Sequence, residues 1–190
     1  MAAWGGLTRV FGLDPDIVTS GKSLGGGIAI GAYGMSETLA QVMECHLDID
    51  VGPPGLATGG TMYANALSLA TARTALQDIL TPERYQRVNA LGTRLADGIE
   101  QAASTHGLAW RAHRLGGRSG FCLRSTLPLN AEDASHSLDI DFIDTRRVFM
   151  ANCGIWEAIA TAGPAASFAH TDADIDYYLT VLNNFLDEIT

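Results

Sequence analysis

Positive charge is scarce in this 190-residue sequence: Lys and Arg number 12 against 21 Asp and Glu, a formal net charge of −9 at pH 7. Nucleic acids and anionic membrane surfaces are bound by basic patches, so neither is an expected partner. No apolar run reaches the length of a membrane-spanning helix. The N-terminus lacks the basic-then-apolar pattern of a secretory signal, and a cytoplasmic location is the expectation. There are only three cysteines, Cys45, Cys122 and Cys153. Their odd number and unpaired spacing point to reduced thiols rather than a disulfide framework. None of the usual zinc-ligand spacings occurs. Cys45-His46 near Asp48 and Asp50 is a poor chelating arrangement and reads as a solvated loop, so no metal site is expected. Two phosphate signatures are also missing. Gly21-Lys22-Ser23 ends like a P-loop, but the position of the required earlier glycine is Asp16. The glycines from 25 onward miss the dinucleotide spacing, because position 30 is Ile30.

What the chain has is an ordinary globular composition, 47% hydrophobic, which argues against disorder. It also has one stretch with unusual chemistry. Pro15 stiffens the entry to a β-branched run, Ile17-Val18-Thr19, which reads as a short strand. Ser20 and Gly21 end that strand and deliver Lys22 into a loop containing Gly25, Gly26 and Gly27. No other charged residue stands between Lys22 and Glu37. Small, apolar surroundings are expected to strip hydration from Lys22 and disfavour its ammonium form. A lysine so placed is a nucleophile suited to Schiff-base chemistry with a carbonyl. The competing reading is a surface lysine at a strand end, since lysines are mostly exposed.

The run from Phe11 to Gly34, with Asp14-Pro15-Asp16-Ile17-Val18-Thr19-Ser20-Gly21-Lys22 at its centre, resembles the lysine segment of class III aminotransferases. The branch it resembles holds glutamate-1-semialdehyde aminomutase and β-amino-acid transaminases. Gly60-Thr61-Met62-Tyr63-Ala64-Asn65-Ala66 resembles the family's Gly-Thr segment leading into Gly-Asn-Pro, departing from it at Ala64 and Ala66. Phe168-Ala169-His170-Thr171 resembles the same branch, and the likeness covers essentially the whole chain. It implies an α/β chain of pyridoxal-phosphate-dependent transferase fold type I. Residues 1–80 would be the end of the large cofactor-binding domain, and residues 81–190 a linking helix with a small C-terminal α+β domain. It implies pyridoxal 5'-phosphate as cofactor and Lys22 as its Schiff-base lysine. Gly60 and Thr61 would bind the cofactor phosphate, Thr61 from the neighbouring subunit of a homodimer.

The implied reaction is transamination between an amino acid, a β-amino acid among the candidates, and a keto acid. The alternative is 2,1-aminomutase chemistry on glutamate-1-semialdehyde. The family's phosphate loop, ring-stacking aromatic and pyridinium-pairing Asp belong to the first half of its chains. The sequence therefore resembles a C-terminal half, and a non-catalytic chain needing a separate N-terminal half is a third reading.

The remaining elements follow from pattern. Trp4 and Phe11 read as core anchors. Residues 28–33 read as a second, buried strand, and Ser36 caps a helix through residue 43. Beside the glycines, Thr61 reads equally as an anion site or a plain turn and N-cap. A helix over 64–80 is expected, with Leu69, Leu76 and Leu80 on one face. Thr81-Pro82-Glu83 starts a long helix, in which Tyr85, Val88, Leu91, Leu95, Ile99 and Ala102 recur at helical spacing. Short strands over 108–113 and 120–124 flank a Gly116-Gly117 turn. A mobile acidic loop over 128–139 precedes a helix capped by Asp141 and stopped by Gly154. Residues 155–160 read as a strand. Thr171 and Asp174 form a capping box for the last helix. Arg118 is a weak candidate for a substrate carboxylate, against an exposed turn arginine. His170 reads as structural, and His106 and His113 as surface residues.

Overall fold

The computed structural model describes residues 3–44 and 61–190. They divide into two compact units, Leu7–Thr81 and Pro82–Thr190, the latter including Met1–Gly6.

In the first unit, α1 (Gly6–Phe11) is followed by β1 (Ile17–Ser20), β2 (Ala32–Met35) and α2 (Glu37–Glu44). β1 is the strand that its β-branched residues favour. β2 starts four residues later than the pattern suggests and pairs antiparallel with β1, Ile17 opposite Met35 and Ser20 opposite Ala32. The delay has a local cause: residues 22–31 are consumed by a turn, with Ile28 N–H donating to the Gly25 carbonyl (3.0 Å). The expected buried strand is instead an exposed hairpin. Trp4 and Phe11 are likewise 43% and 61% exposed, not core anchors, and no residue of α1 is buried. Ser36 does cap α2, its Oγ accepting from Leu39 N–H (3.4 Å).

The next helix, α3 (Ala66–Thr74), runs into a π-helical turn over Ala75–Ile79. Its buried face is the small one, Ser68, Ala72 and Ala75, while Leu69 and Leu76 are exposed. The leucine stripe is thus corrected: the small residues form the buried face, with Ser68 bonded to the neighbouring loop at Ala29, whereas Leu69 and Leu76 are exposed.

The second unit is built on α4 (Pro82–Thr105) and α7 (Asp172–Ile189). All six apolar positions expected along α4 are buried, and Leu91, Leu95, Ile99 and Ala102 share one cluster with Ile175, Tyr178, Leu182, Phe185 and Leu186 of α7. Thr171 and Asp174 make the reciprocal capping box. The strands shrink to β3 (Arg111–Ala112) and β4 (Phe121–Cys122), an antiparallel pair. The acidic loop contains a short helix, α5 (Ala131–Ser135), because Asn130 Oδ1 caps it by accepting from Asp133 N–H (2.8 Å). Asp139, not Asp141, caps α6 (Ile140–Asn152), and Gly154 (φ 80°) takes the left-handed stop.

Residues 155–160 form no strand. Glu157 turns inward there to meet a buried guanidinium. Arg146 Nη1 and Nη2 donate to its two oxygens (2.6 and 2.7 Å). Tyr178 OH donates to Glu157 Oε1 (2.7 Å) and accepts from Arg146 Nη1 (3.2 Å). Burial pushes the Tyr178 hydroxyl well above its usual value, so it remains a donor.

Candidate functional site

Lys22 is placed by the turn that follows β1. Gly21 is extended (φ −169°), and the backbone then enters a 3-10 turn, Lys22–Gly25, closed by Gly26 in the left-handed conformation (φ 59°). Lys22 itself has φ 47°, one of two described non-glycine residues with positive φ. That conformation costs a residue bearing a Cβ roughly 1–2 kcal/mol, and such strain concentrates at functional sites. The turn is held by neighbours that leave no slack. A Cβ on Gly25 would lie 2.7 Å from Ile30 Cγ2, and one on Gly21 would lie 3.2 Å from the Ile30 carbonyl oxygen.

The same turn is tied to the start of α3. Asn65 is the N-cap, accepting from Ser68 N–H (3.0 Å), and its amide donates to Ser68 Oγ (2.9 Å). Ser68 Oγ in turn donates to the Ala29 carbonyl (2.8 Å). Ala64, immediately before the cap, is the second residue with positive φ (53°).

These segments line an open groove of about 1240 Å³, walled by Lys22, residues 27–33, residues 62–65 and residues 67–69. Among the described residues no Asp or Glu lines it and Lys22 makes no ion pair. The expected desolvation is not seen: Lys22 is exposed, because the glycines around it carry no side chains to cover it. The sequence held a stronger signal. Of its 12 Lys and Arg residues, Lys22 is the sole lysine, so it is not one of a population of interchangeable surface lysines.

Thr61 lies in an exposed turn on the approach to α3. It is not that helix's cap, a role taken by Asn65. Gly60 lies outside the described residues, as does Cys45. Arg118 belongs to the other unit, exposed in a tight turn with Leu115 and bridged to Ala165. His170 is structural: Nδ1 accepts from Ser167 N–H (3.1 Å) and its carbonyl accepts from Arg87 (3.1 Å). His106 and His113 are not plain surface residues. His106 Nδ1 meets the Ala102 carbonyl (2.8 Å) and Nε2 meets Asp187 (2.9 Å). Burial, then the charge of Arg118, holds the pKa of His113 below its usual value. Among the described residues no group of three or more His, Cys, Asp or Glu could hold a metal ion, and no helix is long and apolar enough to cross a membrane.

Residues 4–118 match the family model for class-III aminotransferases. The chain is 32% identical over 182 residues to glutamate-1-semialdehyde 2,1-aminomutase of Bacillus subtilis (strain 168), covering 95% of this chain and 40% of that protein. It is 31% identical over 176 residues to glutamate-1-semialdehyde 2,1-aminomutase 2 of Brevibacillus brevis, covering 92% and 39%. Among solved structures, a glutamate-1-semialdehyde-aminomutase from Pseudomonas aeruginosa PAO1 in complex with PMP superposes with a TM-score of 0.88 at 24% identity, covering 100% of this chain and 42% of that one. A β-phenylalanine aminotransferase from Variovorax paradoxus does so with a TM-score of 0.80 at 26% identity, covering 98% and 42%. The chain thus has the α/β fold of pyridoxal-phosphate-dependent transferases and spans about two fifths of the length of these relatives, in their C-terminal part. The lysine segment, the cap of α3 and α4 all fall within the matched residues, and the chain belongs to the class-III aminotransferase family.

Proposed function

We propose that Lys22 carries pyridoxal 5'-phosphate covalently in an enzyme that moves an amino group between an amino acid and a keto acid. The observation that carries the proposal is the sole lysine of the chain, held at φ 47° beside an open groove with no carboxylate on its amine. These residues fit the aldehyde end of the cofactor: an exposed amine on a backbone that packing fixes in place. Support for the cofactor also comes from the family match and from the relative whose structure is a complex with PMP.

Pyridoxal phosphate, when bound, supplies an electron sink for the pair left when a bond to the substrate's amine-bearing carbon breaks. Lys22 would hold the group through Nζ, and as a free amine Nζ would accept a proton from the substrate carbon and later return one, as general base and acid. Thr61, exposed in a turn, together with Gly60, is proposed to hold the phosphate, contributed across the interface of a homodimer. A second reading is favoured by the curated relatives named above: the amino group is moved within glutamate-1-semialdehyde, with Lys22 in the same role.

The test is an absorbance spectrum of the chain with added pyridoxal phosphate, before and after borohydride reduction, with peptide mapping. The expected result is a visible band and a reduced adduct at Lys22, both lost in Lys22→Ala. Because no other lysine competes, an adduct confined to the terminal amine, with binding unchanged in Lys22→Ala, overturns the assignment. Supplying glutamate-1-semialdehyde alone, or an amino acid with a keto acid, separates the two reactions by where the nitrogen ends.

A further inference from the structure

Ser68 is 4% exposed on the buried face of α3, yet its hydroxyl proton is not spent on its own helix. A helical serine or threonine can return that proton to a carbonyl three or four residues earlier. Thr71 does so, donating to the Ser68 carbonyl (3.0 Å). The Ser68 hydroxyl instead donates to the Ala29 carbonyl (2.8 Å), 39 residues away along the chain. Among the described residues that carbonyl accepts no other hydrogen bond.

Asn65 fixes the direction of the proton. The Ser68 N–H can only donate, so the Asn65 side-chain oxygen faces it (3.0 Å) and the amide nitrogen faces Ser68 Oγ (2.9 Å). An amide nitrogen only donates. Oγ is therefore the acceptor toward Asn65, and its single proton is left for Ala29. The hold at Ala29 reaches Lys22 through the next residue. Ile30 closes on Gly21 and Gly25, the glycines at the two ends of the lysine turn, and α3 packs against that turn. Inside the turn, Leu24 N–H donates to the Gly21 carbonyl (3.0 Å), and Ile28 N–H to the Gly25 carbonyl (3.0 Å). Lys22 at φ 47° is in a conformation that persists only where the surroundings over-determine it.

We propose that Ser68 is a positioning residue for Lys22: its hydroxyl, aimed by Asn65, holds the loop at Ala29 and so keeps the turn that presents Nζ to the groove. The role rests on the assignment of Lys22 as the cofactor lysine. Ser68 touches neither the amine nor the groove chemistry and acts through the backbone alone.

Amide hydrogen exchange of the full 190-residue chain without cofactor tests the hold, read at Leu24 and Ile28. Ser68→Ala should speed exchange at both by about two- to tenfold, the net worth of one hydrogen bond, with the amides of α4 and α7 unchanged. Asn65→Asp leaves Ser68 in place and keeps the cap, since Asp caps a helix as well as Asn does. It replaces the donor facing Oγ by an acceptor that competes with Ala29 for the hydroxyl proton. Leu24 and Ile28 should therefore exchange faster in this variant too, with the amides of α3 still protected. Unchanged exchange at Leu24 and Ile28 in either variant overturns the proposal. Pyridoxal phosphate gives a second readout. The visible circular dichroism per mole of Lys22 adduct should fall in both variants, because a loosened turn no longer holds the chromophore in one orientation. An undiminished signal overturns the positioning role even where the turn has loosened. If the parent chain forms no adduct at Lys22, the cofactor assignment is what fails, and exchange alone decides whether Ser68 holds the turn.

Discussion

Replacing Glu157 with Gln should be the most damaging conservative change in the second unit. Arg146 is 1% exposed and Glu157 7% exposed, and their fork is bidentate at 2.6 and 2.7 Å. Glutamine keeps the shape but leaves the guanidinium charge buried without its counter-charge, which costs about 3–5 kcal/mol. Removing the whole polar set should cost far less, because apolar replacements of similar volume avoid the desolvation of both ions. The Tyr178 hydroxyl must go with them, since it bonds both partners and would be left unpaired. The comparison is therefore Glu157→Gln against the triple variant Arg146→Met, Glu157→Leu, Tyr178→Phe. Tryptophan fluorescence during urea unfolding reads the correct unit, because Trp4, Trp110 and Trp156 all belong to it. At a slope of about 1.5 kcal/mol per M, the single change should lower the midpoint by roughly 2 M or more. The triple variant should recover most of that loss. A single variant within about 0.5 M of the parent, or a triple variant as weak as the single, would show that the network is not the buried charge pair described.

Ala64→Gly should stabilise the start of α3: an alanine at φ 53° costs roughly 1–2 kcal/mol, of which glycine's extra freedom takes back about 0.5–1, so exchange of α3 amides should slow by up to about tenfold. Ala66→Pro should add about 0.4–1 kcal/mol in the same assay, because position 66 is the first helical residue and Asn65 before it (φ −63°, ψ 143°) already has the backbone that a following proline requires. Gly92→Ala should destabilise the second unit by about 1–3 kcal/mol despite alanine's ~1 kcal/mol helix advantage, since its Cβ would lie 2.3 Å from the Gly116 carbonyl oxygen and meet backbone, not a movable side chain. The His106 pKa is raised, first by the Ala102 carbonyl and then by Asp187, so its contribution is present below the ordinary value of 6.5 and lost as pH rises through the higher folded value. The stability difference between the parent and His106→Gln should therefore shrink on going from about pH 6 to pH 8, and a difference that grows instead would reverse the assignment.

The sequence by itself determined the elements whose signals are local. β1 is set by Ile17, Val18 and Thr19, α4 by Thr81-Pro82 and its six periodic apolar residues, and α7 by the Thr171–Asp174 box. In each case the signal, whether β-branched residues, a Thr-Pro start with periodic apolar residues or a capping box, lies within one segment, so no distant partner is needed to define the element. It also contained the family resemblance and the sole lysine. The resemblance's Gly-Asn-Pro pattern acquires a physical meaning at Ala64-Asn65-Ala66: a left-handed residue, a cap and a first helical residue. Tertiary structure alone decided the rest. Whether residues 28–33 were strand or turn depended on Gly25 closing onto Ile30. Whether Glu157 lay in a strand depended on Arg146, eleven residues away, and Tyr178, twenty-one residues away. The exposure of Lys22 depended on what the surrounding glycines fail to cover, and the packing of the His113 ring on the approach of Gly120, where a Cβ would lie 2.5 Å from Nε2. These outcomes turn on whether a side chain finds a partner or a wall, and spacing along a chain sets period and capping, not which distant atoms arrive within 3 Å.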